Sequence, residues 1–417
     1  TFATPVTLAT GIHPGWDDIV DVNGDHLLDI VAVNDSSKTF SVFLGHGDGT
    51  FEPRADYPAG PRPAGAVLFD FNSDHRLDVA VADDSNATVS VLLNQGAGTF
   101  APRVAYATGA FPVAVASGLL DGDAYADLVV ANYNPGTVSV LRGAGDGTFL
   151  PRTDFPAGSQ PGSVLVADVT GDTTLDVIVA NVGAQRVSLL RGLGNGSFAA
   201  PLTFATGGEP RALRLAEVNG DKYLDLLASC TSPGVLPVLP GTGKGAAFAA
   251  RLDSRAGPGP LALAVADADG DTRPDAYIGN IYGSLDLMPG HGDGTFGQYI
   301  GYAAGEYPSS LAAGDFNLDG RADLAIANTG GQANTVSVLL GASSGFAPAV
   351  AWPAGSWPYA AAVGDLNRDS VPDLVVSNDG GSSVSVLDGH GDGTFAAPRD
   401  FPAGVNPVGI AVGDADG

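Results

Sequence analysis

The residues best equipped for chemistry in this chain are aspartates, and they come in spaced sets. Asp21, Asn23, Asp25 and Asp29 put side-chain oxygens at positions 1, 3, 5 and 9 of a short segment. The spacing returns at Asp70, Asn72, Asp74 and Asp78, and at Asp267, Asp269, Asp271 and Asp275. It appears again at Asp315, Asn317, Asp319 and Asp323, and at Asp365, Asn367, Asp369 and Asp373. Three weaker copies change one position. Leu119 stands first before Asp121, Asp123 and Asp127; Thr170 stands third among Asp168, Asp172 and Asp176; Glu217 opens the set Asn219, Asp221 and Asp225. A ninth begins at Asp414 and Asp416, next to the last residue, Gly417.

Oxygens at alternate positions let a loop wrap a hard cation, with a backbone carbonyl added at position 7. Calcium suits such a cage because it takes about 6–8 oxygens in forgiving geometry, whereas magnesium demands a strict octahedron. An EF-hand does not fit: position 6 is His26, His75 or Lys222 where that loop needs glycine, and position 12 of the first copy is Ala32. Asp and Asn also build turns without any metal. Here, however, the eight complete loops hold 25 of the 46 acidic residues, and such clusters repel unless a cation sits among them. Eight calcium ions would bring the formal charge from −27 to −11. Leu119 predicts a weak or empty third site, while Thr170 and Glu217 predict occupied but perturbed ones. The metal's expected role is structural, with binding linked to folding.

The loops recur every 48–50 residues, so the elements that position them form a repeat. The second unit shows four β-type runs: Ala66–Asp70, Leu77–Val81, Thr88–Leu93 and, after the turn Gly96–Thr99, Phe100–Tyr106. With 59 glycines and 29 prolines the chain is rich in turns, and its 44% hydrophobic content excludes disorder. Four short strands per unit predict an all-β fold, a β-propeller of four-stranded antiparallel blades. Residues 1–417 read as one repeat array of eight complete units and a partial ninth. Eight blades is the first expectation, with seven blades or an open array as alternatives. Thr1 aligns with Thr50, so the chain starts in a fourth strand, without a basic-then-apolar leader; this reads as a processed chain or an excised piece.

The acidic loops and the turns Gly47–Phe51, Gly145–Phe149, Gly292–Phe296 and Gly391–Phe395 resemble FG-GAP/VCBS repeats, the blades of integrin α-subunit propellers and of many bacterial surface proteins. The resemblance spans the whole chain. It implies a calcium-binding propeller and leaves adhesion, carbohydrate binding and accessory roles in polysaccharide breakdown open.

In a four-strand meander the acidic loop and the third-to-fourth-strand turn share one face, and the crossover between units lies on the other. Each crossover reads G-x-x-P, with His13, Arg62, Phe111, Gln160, Glu209, Gly259, Tyr307, Trp357 and Asn406 in turn before the proline. These changing residues on a fixed frame are the candidate ligand contacts, for a glycan or an extracellular protein, although drift in exposed loops explains them equally well. The aromatics Tyr57, Tyr106, Phe155, Phe204, Tyr302, Trp352 and Phe401 recur in register and read as packing.

Other classes find less support. A net charge of −27 argues against nucleic acid and anionic membranes as partners, and no apolar run is long enough for a membrane helix. The single cysteine, Cys230, excludes a disulfide framework. Gly341–Gly345 matches G-x-S-x-G but falls in a repeat turn rather than a strand-to-helix elbow. No catalytic residue is expected and the chain reads as a non-enzyme. Alternatives are a subunit of an extracellular fibre or layer assembled by strand addition, and a polysaccharide lyase or hydrolase or its accessory domain. Loops of this kind in extracellular modules bind calcium at roughly 10⁻⁴–10⁻³ M, which places the chain outside the cell or on its surface.

Overall fold

Short β-branched runs joined by glycine turns pair most readily with their chain neighbours. The computed structural model accordingly holds, among the described residues, eight four-stranded antiparallel sheets, each pairing its strands in chain order. It describes residues 14–20, 22–24, 29–34, 38–44, 52–53, 55–230, 234–243, 248–267, 271–280, 284–303, 308–314, 317–318, 323–328, 335–342, 345–346, 350–364, 369, 371–378, 380–381 and 383–402. The fourth strand expected at residues 1–13 and the ninth first strand expected at 403–417 lie outside the described residues.

Sheets are numbered 1 to 8 in chain order. Their first strands are Pro14–Val20, Pro63–Phe69, Pro112–Gly118, Pro161–Ala167, Pro210–Ala216, Pro260–Ala266, Pro308–Gly314 and Pro358–Gly364. Each opens on the crossover proline, where the missing N–H costs no ladder bond. First strands of consecutive sheets pack on one another all the way along the series. Fourth strands such as Val104–Ala107 and Thr153–Pro156 are the most exposed. The sheets therefore converge on their first strands, as propeller blades do around an axis.

Second strands such as Asp78–Asp83 and Asp176–Asn181 are buried at every residue. Both faces of such a strand are covered by the sheets on either side, which is why it reads as a continuous apolar run. The core is correspondingly divided. Seven hydrophobic clusters are described, each lying between two consecutive sheets.

One sequence expectation needs correction. The run Phe100–Tyr106 is not one strand. Thr99–Phe100 pairs back on Asn94–Gly96 in a small hairpin, and the ladder strand is only Val104–Ala107. Pro102 lies between the two pieces, and without an N–H it cannot carry the ladder through.

The in-register aromatics are packing residues wherever their side chains are described, which leaves out Phe401, and the packing runs between blades. Tyr57 meets Phe100 at 5.4 Å between ring centroids, Tyr106 meets Phe149 at 5.3 Å, and Phe155 meets Phe198 at 5.1 Å. Phe204 with Phe248 (5.4 Å) and Trp352 with Phe395 (5.7 Å) repeat the edge-on contact. In each pair a fourth-strand ring touches the turn phenylalanine of the next unit. Phe248→Ala should therefore lower unfolding free energy by about 3–5 kcal/mol. A double-mutant cycle with Phe204→Ala should show coupling of about 0.5–1.5 kcal/mol in urea titrations. Additive effects would mean that the rings do not meet.

Candidate functional site

Position 9 of every acidic loop is the first residue of a second strand, and among the described side chains its carboxylate is buried. Asp78, Asp127, Asp176 and Asp225 are each 0% exposed. One oxygen accepts the N–H of loop position 2: Phe71 to Asp78 at 2.9 Å, Leu120 to Asp127 at 2.8 Å, Val169 to Asp176 at 3.1 Å and Val218 to Asp225 at 2.9 Å. The other accepts an N–H just after the third strand. Asn94, Gly143, Gly192 and Gly241 donate at 2.7, 2.9, 2.9 and 2.7 Å. Asp275 with Gly290 (2.7 Å) and Asp373 with Gly389 (2.8 Å) repeat the second bond. A single carboxylate thus ties the acidic loop to the neighbouring turn.

The remaining loop carboxylates curl inward on their own backbone. Position 5 accepts the N–H of position 7: Asp74 from Arg76 (3.0 Å), Asp123 from Tyr125 (2.8 Å), Asp172 from Thr174 (2.9 Å) and Asp221 from Tyr223 (2.8 Å). Asp271 and Asp369 accept likewise from Arg273 and Val371. Position 1 reaches position 6, with Asp70 to His75, Asp168 to Thr173 and Asp267 to Thr272 all at 2.8 Å. In the fifth loop Glu217 accepts from Asn219 at 2.9 Å, and Asn219 donates its amide to Asp225 at 3.1 Å. In the third, Leu119 leaves position 1 without a carboxylate and is itself 45% exposed.

Asp21, Asp25, Asp269, Asp315, Asp319, Asp365 and Asn367 lie outside the described residues, as do the side chain of Asp29 and all of His13, Tyr307 and Asn406. Among the described residues, no three His, Cys, Asp or Glu side chains converge as a ready-made metal cage. The donor chemistry is nonetheless all oxygen and mostly anionic, which fits a hard cation. Asp21, Asn23, Asp25 and Asp29, with their counterparts in the later loops, are the residues that would hold it.

Burial first, and crowded charge after it, holds the carboxyls of Asp78, Asp127, Asp176 and Asp225 above the usual carboxylate range. Burial pushes Asp78 and Asp127 up to about 6, and the nearby carboxylates Asp74 and Asp70, or Asp121 and Asp123, add to the shift. Asp176 and Asp225 are raised for the same reasons. Such a group binds its proton more tightly folded than unfolded. The stability it contributes is complete below the unfolded value near 3.8 and is lost as pH rises through about 6. In excess chelator the melting temperature should therefore fall between pH 4 and pH 6.5, and less steeply in Asp127→Asn. A melting temperature that rises over that range would contradict this account.

The acidic loops and the turns share a face, as the meander requires. The turn of one unit reaches the loop of the unit before it. Gly147 donates to the Phe71 carbonyl at 3.2 Å, Gly196 to Leu120 at 3.0 Å and Gly294 to Val218 at 3.1 Å. The crossover lies at the opposite strand ends, against the loop after the second strand. There Asp84 donates to the Arg62 carbonyl at 3.1 Å, Tyr133 to Phe111 at 2.8 Å and Val182 to Gln160 at 3.1 Å.

Holding those carbonyls inward turns the pre-proline side chains out. Phe111, Gln160 and Trp357 have left-handed backbones, with φ of 56°, 55° and 53°. Such a backbone is unusual for bulky residues. Phe111 is 46% exposed, Trp357 54% and neighbouring Tyr359 39%. Arg62 pairs with Asp84 at 3.3 Å, and Glu209 with Arg211 at 3.2 Å. Gly259 presents no side chain.

A polar network beneath the crossover was missed in the sequence. Ser139 accepts the Gly109 N–H (3.0 Å) and the Asn132 amide (2.9 Å) and donates to Asp154 (2.7 Å). Gly355, Asn378, Ser385 and Asp400 repeat it in sheet 8. A Cβ on Gly109 would fall 2.6 Å from Asn132, so the crossover glycine makes room for the amide. The repeated Asn at the end of the second strand and Ser in the third were the available signal.

Cys230 is fully buried, and burial pushes its thiol up to about 12. Gly341–Ala342 and Gly345–Phe346 pair as a two-stranded hairpin, with Ser343 outside the described residues.

Converging meanders with an acidic loop at every blade define a β-propeller. A family model described as FG-GAP-like repeat matches residues 21–81, 120–179, 168–228, 267–326, 316–376 and 365–417, more than half of the chain. The protein belongs to the FG-GAP-like repeat family. No curated protein matches its sequence. Among solved structures it is similar to the dihydro-heme d1 dehydrogenase NirN, at 16% identity and a TM-score of 0.57, covering 96% of this chain and 76% of that one. An Agrocybe aegerita lectin that recognises non-reducing terminal N-acetylglucosamine is similar at 17% identity and 0.48, covering 93% and 90%. The V. cholerae biofilm matrix protein Bap1 is similar at 12% and 0.48, covering 99% and 85%.

Proposed function

We propose that this protein is a calcium-stabilised extracellular β-propeller that binds a glycan or a protein through its crossover face, without catalysis. One observation carries the reading. At the crossovers a fixed frame of glycine and proline turns changing side chains outward, and two of these are aromatic rings about half exposed, Phe111 and Trp357. An aromatic ring left in water at a rigid, unusual backbone position offers a flat surface at little entropic cost to a partner. The opposite face is given over to acidic loops, whose oxygen-only donors suit calcium and whose expected affinity suits extracellular calcium levels.

Two measurements test this. Adding calcium to chelated protein should raise its melting temperature, saturating at roughly 10⁻⁴–10⁻³ M, with magnesium much weaker; no response would remove calcium from the reading. Trp357→Ala and Phe111→Ala should leave folding intact and cost about 2 kcal/mol each in affinity for a ligand found by glycan or surface-protein screening. Affinity unchanged in both variants would place recognition elsewhere.

A further inference from the structure

The crossovers fall into two sets by backbone conformation. Among those whose pre-proline residue is described, Phe111, Gln160 and Trp357 are left-handed, and Gly259 joins them with φ of 74°. Arg62 and Glu209 are not left-handed. Residue type does not explain the split, since phenylalanine and tryptophan suit that conformation no better than arginine or glutamate. The residue one place earlier does not explain it either: Pro61 precedes Arg62 and Pro258 precedes Gly259, one in each set. The pre-proline carbonyl is held alike in both sets, as the bonds to Arg62, Phe111 and Gln160 show.

What differs lies underneath, at the last residue of the second strand. Below the left-handed positions it is Asn132, Asn181, Asn280 or Asn378; below Arg62 and Glu209 it is Asp83 and Cys230. Each asparagine anchors its amide nitrogen on third-strand hydroxyls. Asn132 donates to Thr137 at 3.1 Å and Ser139 at 2.9 Å, and Asn181 to Ser188 at 2.8 Å. Asn280 donates to Ser284 at 3.0 Å, and Asn378 to Ser383 at 3.0 Å and Ser385 at 2.9 Å. All four are buried, and their Oδ1 atoms accept no hydrogen bond among the described residues.

The other set lacks this anchor. In sheet 2 Arg103 bonds Ser90 at 2.7 Å, and the Asp83 carboxylate accepts the Arg62 N–H at 3.1 Å. In sheet 5 Val235 and Pro237 stand where Thr137 and Ser139 stand in sheet 3, so no third-strand hydroxyl is available. Cys230 donates its thiol to the Thr206 carbonyl instead.

We infer that the anchored asparagine is a positioning residue that selects the left-handed crossover, and so sets the direction in which Phe111, Gln160 and Trp357 leave the backbone. A carboxylate captures the pre-proline N–H and holds it inward. An amide pinned by its nitrogen cannot swing to do so, and it wedges beneath the turn: a Cβ on Gly109, Gly158 or Gly355 would fall 2.5–2.6 Å from it. The smaller Cys230 neither captures the N–H nor wedges the turn. Arg62 and Glu209 are each ion-paired to a neighbour, whereas the side chains at the selected positions are uncharged. The assignment bears on the proposed recognition face but is independent of what that face binds.

The experiment compares glycine with alanine at pre-proline positions in the full chain with calcium, because only a left-handed backbone favours glycine. With Asn132 present, Phe111→Gly should melt about 1–3 °C above Phe111→Ala, and in Asn132→Asp the order should reverse. Gln160→Gly against Gln160→Ala, with Asn181 or Asn181→Asp, repeats the test on a second blade and decides it if Asn132→Asp does not fold. Arg62→Gly should melt below Arg62→Ala, which checks the method on a crossover of the other set. Alanine above glycine at both 111 and 160 in the native background overturns the inference. So does a glycine preference that survives the aspartate substitutions.

Discussion

The buried carboxylate at the head of each second strand, such as Asp78 or Asp176, carries obligations on both of its oxygens. One oxygen closes the acidic loop onto itself through the position-2 amide, and the other fastens that loop to the turn after the third strand. A buried charge is tolerated only when hydrogen bonds replace its lost water. The two amides meet that condition, and in doing so they fix where each loop and turn lie. Everything on that face follows. The turn glycine of the next unit can reach the preceding loop's carbonyl, and the turn phenylalanine can reach the preceding blade's aromatic, because both loops are already anchored.

The crossover face is governed by a different constraint. Under two crossovers a serine, an asparagine and a fourth-strand aspartate use the crossover glycine's N–H, as in Gly109, Asn132, Ser139 and Asp154, and in sheet 6 the Asp286 carboxylate takes that N–H instead. This buried network holds the crossover down and rotates the residue before the proline outward. The frame is thus demanding while the outward side chain is unconstrained, so Arg62, Phe111, Gln160 and Trp357 can occupy equivalent places. Both ends of the blades thus do structural work, loop closure at one and crossover anchoring at the other, and the crossover end leaves its changing side chains in water.

Much of the architecture was legible in the sequence because it repeats. A period of 48–50 residues, four β-type runs per unit and glycine-rich turns are local signals, and repetition multiplied them into a fold. The in-register aromatics were legible as packing residues for the same reason. The fourth strand was misjudged, since Pro102, visible in the sequence, divides the run at a residue that cannot carry the ladder. The double role of the position-9 aspartates was hidden as well. Spacing shows that a carboxylate is present but not that both of its oxygens face amides 7 and 16 residues away.

By itself, the sequence determined the family, the strand order, the placement of oxygen donors and which residues vary at the crossovers, because each depends on neighbours within one unit. Tertiary structure decided which rings meet, which carboxylates are buried and which side chains remain in water. Those outcomes depend on contacts between units, where residues 40 or more positions apart, such as Phe204 and Phe248, are brought together by the stacking of one blade on the next.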